Sequence, residues 1–223
     1  VASAVSDSQG KAILSGIVNG LYTVVASYDW RYAPASMDIA VNGNGVYNVT
    51  LSKIKTSVTV QLTDNSGIVP QGVSVTGIGP GGTTNAKGEI SFSNVHYGSY
   101  NVTLTSPYHS STSTTVTVDT PNQTINISLV RNKVTVTVHV QNSRSGASIA
   151  GASVTGIGSS KTTDSNGNAT FSNIWANSYS IQASASNYNT NSNTFSITGN
   201  QTITISLTPI DRITVATFLC DAS

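Results

Sequence analysis

The chain has 223 residues, of which only 9% are charged, and its formal net charge is +1. Soluble proteins average about 25% charged residues, so the surface is predicted to carry mainly hydroxyl and amide groups, with no basic face for nucleic acid or anionic lipid. The hydrophobic fraction of 38% predicts a folded chain, and no apolar run approaches the ~20 residues of a membrane span.

A repeat of about 78 residues organises the chain. Three segments align without a gap: DSQGKAILSGI (7–17), NAKGEISFSNV (85–95) and DSNGNATFSNI (164–174). The equivalent tyrosines that follow them, Tyr22, Tyr100 and Tyr179, are spaced 78 and 79 residues apart. We therefore expect three tandem units, called unit one (1–54), unit two (55–131) and unit three (132–210), followed by a tail at residues 211–223.

Alternating apolar residues predict β-strands along each unit. Unit one begins with a turn at residues 7–10 and closes on a run in which Tyr47, Val49 and Leu51 alternate with polar residues. Units two and three open on longer alternating runs, at residues 58–62 and 134–140, and close in the same way as unit one. Period-two alternation is typical of half-buried strands. With turns rich in Gly, Asn, Asp and Ser and no helical period, the sequence predicts an all-β sandwich in each unit.

One stretch of unit three resembles a known family. The string TTDSNGNATFSNIWANSYSIQASASNY (162–188), preceded by IAGASVTG (149–156), is similar to carboxypeptidase-regulatory-like and Cna-B-type domains. The resemblance extends over units two and three and the later part of unit one. It implies Ig-like or transthyretin-like sandwiches with a structural role, as in stalks, pilus subunits and surface modules, and it brings no catalytic residues.

Cna-B-type domains often carry a Lys to Asn isopeptide bond assisted by an acidic residue, which draws attention to the basic residues at the first strands. These are Lys55, Lys133 and Arg212. Unit three contains no glutamate, so an aspartate would have to replace the usual acid. We interpret the three residues as solvated charges at the starts of strands.

No arrangement of residues indicates an enzyme, a metal site or a cofactor. His96, His109 and His139 occupy unrelated repeat positions, so we expect them at the surface or its rim. Glu89 is the only glutamate, and no nucleophile elbow, phosphate loop or dinucleotide motif occurs. The single cysteine, Cys220, excludes an internal disulfide; it is either a small apolar residue or a thiol open to intermolecular pairing.

Two surface features have alternative interpretations. Trp30, Tyr28 and Tyr32, with Trp175, are either aromatic platforms for a sugar or rings that cover loops. Six Asn-x-Ser/Thr sequences are candidate N-glycosylation sites, and amide-rich turns are the alternative. The six asparagines are Asn48, Asn101, Asn122, Asn126, Asn168 and Asn200.

Unit one has no counterpart of residues 55–78, a stretch that is predicted to hold two strands. The tail in turn matches an opening strand, because Ile213 and Val215 align with the core positions of Val134 and Val136. Thirteen residues reach at most ~45 Å, whereas three sandwiches in line span on the order of 100 Å. The tail is therefore predicted to insert into another molecule, with Ile213, Val215, Phe218 and Leu219 as the donor-strand residues.

The sequence thus favours a structural subunit of an extracellular, cell-surface filament that polymerises head-to-tail with identical copies. The arrangement resembles donor-strand pili and archaeal thread-type filaments. Unit one completed by the tail would still be about one strand short. A piece cut from a longer surface repeat protein, serving as a stalk or adhesin segment with a carbohydrate-binding module elsewhere, therefore remains the alternative.

Overall fold

The computed structural model describes residues 1–211, and all the regular secondary structure in that range is β. Unit one contains short or isolated strands: β1 (Gly20–Ala26), β2 (Tyr32–Ala33), β3 (Ala35–Val41) and β4 (Ser52–Lys53). β1 pairs only with β3, and β2 pairs only with β4. Within the described residues no helix is long and apolar enough to cross a membrane.

Unit two is a sandwich of a three-stranded and a four-stranded sheet. Its strands are β5 (Lys55–Asp64), β6 (Ser74–Thr76), β7 (Gly82–Thr83), β8 (Glu89–His96), β9 (Gly98–Thr105), β10 (Thr112–Val118) and β11 (Gln123–Leu129). The order is β11-β5-β8 in one sheet and β10-β9-β6-β7 in the other. The opening strand β5 lies at the centre of its sheet, parallel to β11 and antiparallel to β8.

Unit three repeats this topology strand for strand. Its strands are β12 (Lys133–Asn142), β13 (Ser153–Thr155), β14 (Lys161–Thr162), β15 (Asn168–Trp175), β16 (Asn177–Ser184), β17 (Asn191–Ile197) and β18 (Gln201–Leu207). β12 is central, parallel to β18 and antiparallel to β15. Both central strands have a register shift in the same place, near Thr56 and near Val134. The expectation of an all-β fold is confirmed, with sandwiches in units two and three.

Each of these sandwiches has its own apolar core. The alternating residues of the central strands face inward, so that Val58, Val60 and Leu62 are at most 1% exposed, and their counterparts in β12 are as deeply buried. The largest buried side chain of unit three is Phe171, packed in the same cluster as the β12 valines. Burial of each such side chain contributes about 1.5–3 kcal/mol, which makes the central strand essential to its sandwich.

The three repeat tyrosines make the same hydrogen bond. The hydroxyl of each donates to the backbone carbonyl four residues earlier, from Tyr22 to Val18, from Tyr100 to His96 and from Tyr179 to Trp175, at 2.7–2.8 Å. Tyr100 and Tyr179 are half-buried and Tyr22 is exposed, and a tyrosine whose ring packs on the protein commonly satisfies its hydroxyl in this way. The shared contact places the three tyrosines in equivalent local structures, as the sequence repeat requires.

Unit one departs from the predicted strand pattern. Residues 11–18 and 45–51 are equivalent to β8 and β11, yet neither segment forms a strand. The prediction of a closing strand at Tyr47, Val49 and Leu51 is therefore wrong for the chain by itself. The physical reason is that β8 and β11 are each held by the strand between them, and unit one has no residues in that place. What remains is the β1–β3 hairpin, equivalent to β9–β10, and the short β2–β4 pair.

Candidate functional site

Unit one holds most of the large apolar residues that are exposed in the described part of the chain, and no residue from 1 to 54 is buried. Leu14 is 44% exposed, whereas its equivalent Phe92 in unit two is 4% exposed. Ile17, Val24, Val49 and Leu51, at other positions equivalent to core residues, are only half-buried. Ile13, Leu21, Val25 and Val46 are also exposed, but they are equivalent to the outer-face residues Ser91, Ser99, Thr103 and Thr124. Core positions without cover are candidates for an interaction site.

By repeat equivalence, unit one has no central strand. In unit two, β5 runs antiparallel to the segment equivalent to 11–18 and parallel to the segment equivalent to 45–51. Residues 11–18 and 45–51 are therefore the segments that an added central strand would pair with in unit one. Such a site can bind an extended segment by backbone hydrogen bonds and side-chain burial. The donor residues Ile213, Val215, Phe218 and Leu219, like Cys220, lie outside the described residues.

A second site is a buried charged cluster where unit two meets unit three. Arg131 Nε donates to Asp64 Oδ2 at 2.6 Å, and the same oxygen lies 3.0 Å from His109 Nε2. The three side chains are at most 3% exposed. Ser66 donates to the other carboxylate oxygen of Asp64, and Ser106 Oγ lies 3.0 Å from His109 Nδ1. Every polar atom of the Asp64 carboxylate is thus engaged, as burial of a charge demands.

The electrostatics of this cluster follow from burial and pairing. Burial opposes ionisation of Asp64, but the hydrogen bonds from Ser66, Arg131 and His109 outweigh it and hold the pKa of Asp64 well below its usual value. Burial lowers the pKa of His109, with a further contribution from the Arg131 charge, although Asp64 acts in the opposite direction. Because Arg131 already neutralises Asp64, His109 is neutral near pH 7 and donates from Nε2.

The same cluster joins the two complete sandwiches. Arg131 Nη1 donates to the Ala176 carbonyl of unit three at 2.9 Å. Tyr108 Oη lies 3.0 Å from Ser196 Oγ, and its ring is 6.0 Å from Arg131 Cζ. The backbone adds a bond from Asn132 N of unit three to Tyr108 O of unit two at 3.0 Å. Units two and three are therefore connected by side-chain and backbone contacts as well as by the chain.

Sequence reasoning missed this cluster. The expectation that His109 lies at the surface is wrong, since it is 6% exposed. The sequence did contain a usable signal. Asp64 ends β5 at a position that continues the alternation of its core-facing residues, and a charge on that face needs a buried partner. His96 and His139 are half-buried, and His139 Nδ1 lies 2.9 Å from Asn168 Oδ1. In the part of the chain that the structure describes, no group of three or more His, Cys, Asp or Glu residues is placed to hold a metal ion.

The aromatic candidates divide between two places. Tyr28 is 70% and Trp30 is 49% exposed on a loop of unit one. Tyr28 meets Tyr32 edge to face at 5.5 Å between ring centroids, and Trp30 lies 6.0 Å from Tyr97 of unit two. Trp175 instead lies half-buried in unit three beneath Lys133, whose Nζ is 4.4 Å from the ring centroid. The four rings do not form one platform.

The candidate glycosylation sites lie mostly in solvent. Asn48, Asn101, Asn122, Asn126 and Asn200 are exposed, and Asn168 is half-buried. Where a side chain is engaged, it is the oxygen that accepts: Asn101 from Thr115 Oγ1 and Asn200 from the Thr135 backbone. The Nδ2 group that would carry a glycan is not used in these two bonds.

The comparisons with known proteins agree with this geometry in unit three. The model of the carboxypeptidase regulatory-like domain family matches residues 135–209. Over these residues the chain is similar to a carboxypeptidase regulatory-like domain. The matched range contains the whole of β13 to β18 and the core residue Phe171. No curated protein matches the chain in sequence.

Three solved structures illustrate the wider likeness. The TIE protein of Bacillus anthracis is 12% identical with a TM-score of 0.42, covering 91% of this chain and 48% of its own. A streptococcal ancillary pilin is 16% identical with a TM-score of 0.36, covering 88% of this chain and 77% of its own. The minor pilin of Streptococcus agalactiae is 12% identical with a TM-score of 0.34, covering 73% and 100%. The chain spans about half the length of the Bacillus anthracis protein, and at such low identity these likenesses assign no function.

Proposed function

We propose that this chain is a structural subunit of an extracellular filament that polymerises head-to-tail. The tail, residues 211–223, of one copy inserts as a donor strand into unit one of the next copy. The division into an acceptor unit (1–54), two complete sandwiches (55–131 and 132–210) and a donor segment (211–223) is part of this proposal. The subunit has no catalytic role in it and needs no cofactor.

One observation carries the proposal. Unit one has no buried residue, whereas units two and three each contain a full apolar core. An uncovered core and two unpaired strand-forming segments are a hazard that proteins remove by pairing. The tail has the alternation of the strand that is missing. Burial of Ile213, Val215 and Leu219 would contribute about 1.5–3 kcal/mol each before ordering costs.

The register of insertion follows from the two complete sandwiches. With Val215 in the place of Val58 and Val136, the inward positions are Ile213, Val215, Thr217 and Leu219. Phe218 then lies on the outer face, because side chains alternate along a strand. A shift by one residue would turn Arg212, Thr214, Ala216 and Phe218 inward instead, so that Phe218 would be the only large apolar side chain buried and the Arg212 charge would face the core. The alternation therefore selects the first register.

The alternative function is a stalk segment within a longer surface protein. The contacts of Arg131 and Tyr108 with unit three favour it, because they make a defined connection between consecutive sandwiches. In that case a strand elsewhere in the longer protein would complete unit one. The two functions differ in a measurable property, since only the first requires the tail for association between copies.

The test compares polymerisation of the purified full chain with that of chains altered in the tail, followed by light scattering and negative-stain microscopy. We expect filaments from the full chain and none after deletion of residues 211–223. Val215→Asp should also prevent assembly, because it places an unpaired carboxylate in the core, whereas Ala216→Asp, one residue away on the outer face, should assemble. Filaments from the deleted chain, or equal loss with both aspartates, would contradict donor-strand insertion.

We also propose that the filament surface carries N-linked glycans where its source organism glycosylates proteins. Asn48 and Asn126 are repeat equivalents that alternate with inward residues, and both are exposed. Mass spectrometry of native peptides should show modification at one or both. Unmodified Asn48 and Asn126 peptides from native material would contradict glycosylation and leave the assembly proposal unaffected.

A further inference from the structure

We propose that Lys53 and Tyr32 of unit one form the receptor for Asp221 of a second copy, in an intermolecular polar pair that fixes the register of the donor strand. This inference rests on the proposed function. Lys53 and Tyr32 belong to no sandwich core, and the segment that they would bind is the tail of a second copy.

The last residue of each central strand makes a polar contact with its own sandwich. Asp64 ends β5 and contacts His109 and Arg131. Asn142 ends β12, and its Nδ2 donates to Tyr188 Oη at 3.2 Å. In both complete sandwiches, therefore, the last residue of the central strand has a short polar side chain. This side chain bonds to equivalent residues, His109 in unit two and Tyr188 in unit three.

The backbone at His109, at Tyr188 and at their equivalent in unit one has the same pairing in all three units. His109 pairs with Arg131 and Tyr188 pairs with Pro209 in isolated antiparallel bridges. Tyr32 pairs with Lys53 between β2 and β4. The following residue also makes the same bond, from Asn132 N to Tyr108 O and from Ile54 N to Arg31 O. Tyr32 therefore corresponds to His109 and Tyr188, and Lys53 corresponds to Arg131.

In unit one this receptor lacks the residue that should face it. Lys53 is exposed, and its Nζ lies 5.9 Å from the centroid of the Tyr32 ring. Asp29 pairs with Arg31 and also lies close enough to Lys53 for their opposite charges to attract. Unit two at the same point has a buried carboxylate in direct contact with its cation. Among the described residues of unit one, Lys53 has no such direct ion pair.

The tail supplies an anion at the matching distance. Asp64 follows Val58 by six residues, and Asn142 follows Val136 by six residues. Asp221 follows Val215 by the same six residues. When Val215 takes the place of Val58, Asp221 therefore arrives where Asp64 stands in unit two. A one-residue slip would turn the side chain of Asp221 to the opposite face, and a two-residue slip would move it along the strand by about 7 Å. The pair therefore disfavours both registers.

The experiment is a charge-reversal cycle on binding of a synthetic peptide of residues 211–223. The acceptor is the full chain with Val215→Asp, which removes self-assembly without altering unit one. Dissociation constants are measured for acceptors with and without Lys53→Glu, and for peptides with and without Asp221→Lys. Each single reversal should weaken binding about tenfold, and the combined reversal should recover most of the loss, as expected for residues in contact.

The controls separate this inference from the proposed function. Lys87→Glu changes an exposed lysine of unit two and should leave peptide affinity unchanged. If the unaltered peptide does not bind the acceptor, the donor-strand proposal itself fails. If it binds, and either reversal has no effect or the combined reversal gives no recovery, the Lys53 to Asp221 pair is wrong while donor-strand insertion stands.

Discussion

Arg131 Nε lies 2.6 Å from Asp64 Oδ2, and the two side chains are 3% and 0% exposed. The pair links the end of the first strand of unit two to the residue that leads into unit three. Arg131 reaches across to the Ala176 carbonyl as well. One guanidinium therefore neutralises the buried carboxylate and ties two sandwiches together.

Replacing Arg131 with alanine should lower the free energy of unfolding of unit two by about 3–5 kcal/mol, because it leaves Asp64 buried without its cation. Chemical denaturation followed by circular dichroism measures this change. Arg144→Ala is the matched control, since Arg144 and Asp211 form an ion pair with exposed side chains. The control should change stability by no more than about 0.5 kcal/mol. Equal effects of the two substitutions would show that burial of the Asp64 pair is unimportant.

Stability should fall as the pH is lowered below the ordinary His109 pKa of 6.5. Burial depresses the folded-state pKa of His109, so below that pH the unfolded state binds more protons and is favoured. The depressed pKa of Asp64 adds a second loss that begins only below its ordinary value of 3.8. Denaturation midpoints measured from pH 7.5 down to pH 3 should therefore fall in two stages.

His109→Gln should remove the first stage and leave the second. His139→Gln is the control, because that histidine is only half-buried and bonds to a neutral amide. The control chain should retain the loss of stability below pH 6.5. A first stage that persists unchanged in His109→Gln would assign the titration to another group.

The sequence predicted the strands of units two and three well because their two-residue alternation coincides with the face that is buried. Val58 and Val136 lie where that pattern places them. It failed at residues 45–51, which have the same alternation but no neighbouring strand, because pairing and not propensity makes a strand. It failed also at His109, whose burial depends on Asp64 and Arg131, residues 45 and 22 positions away. Local patterns do not report such long-range partners.

The repeat tyrosines offer a graded test of the shared hydrogen bond. Tyr100→Phe and Tyr179→Phe remove a hydroxyl that donates to a backbone carbonyl in part-buried surroundings. Each should lower the free energy of unfolding of its own unit by about 0.5–1.5 kcal/mol. Tyr22→Phe should have a smaller effect, because Tyr22 is 39% exposed and water can replace the bond. A larger loss from Tyr22→Phe than from the other two would contradict this order.

The backbone approach at Gly156 should make unit three intolerant of any side chain there. Gly156 follows β13 with φ of 90°, and a Cβ atom would lie 2.0 Å from the Ser180 carbonyl oxygen. Since that oxygen belongs to the backbone of β16, the clash can be relieved only by separating the two strands. Gly156→Ala should therefore lower the free energy of unfolding of unit three by about 3 kcal/mol, from overpacking and left-handed strain together.

Gly146→Ala is the control that isolates the backbone strain, because Gly146 has φ of 71° and no atom lies within 4 Å of its Cβ position. This variant should lose about 1 kcal/mol of unfolding free energy. Denaturation of the two variants side by side decides the matter, and equal losses would mean that the strands separate at little cost.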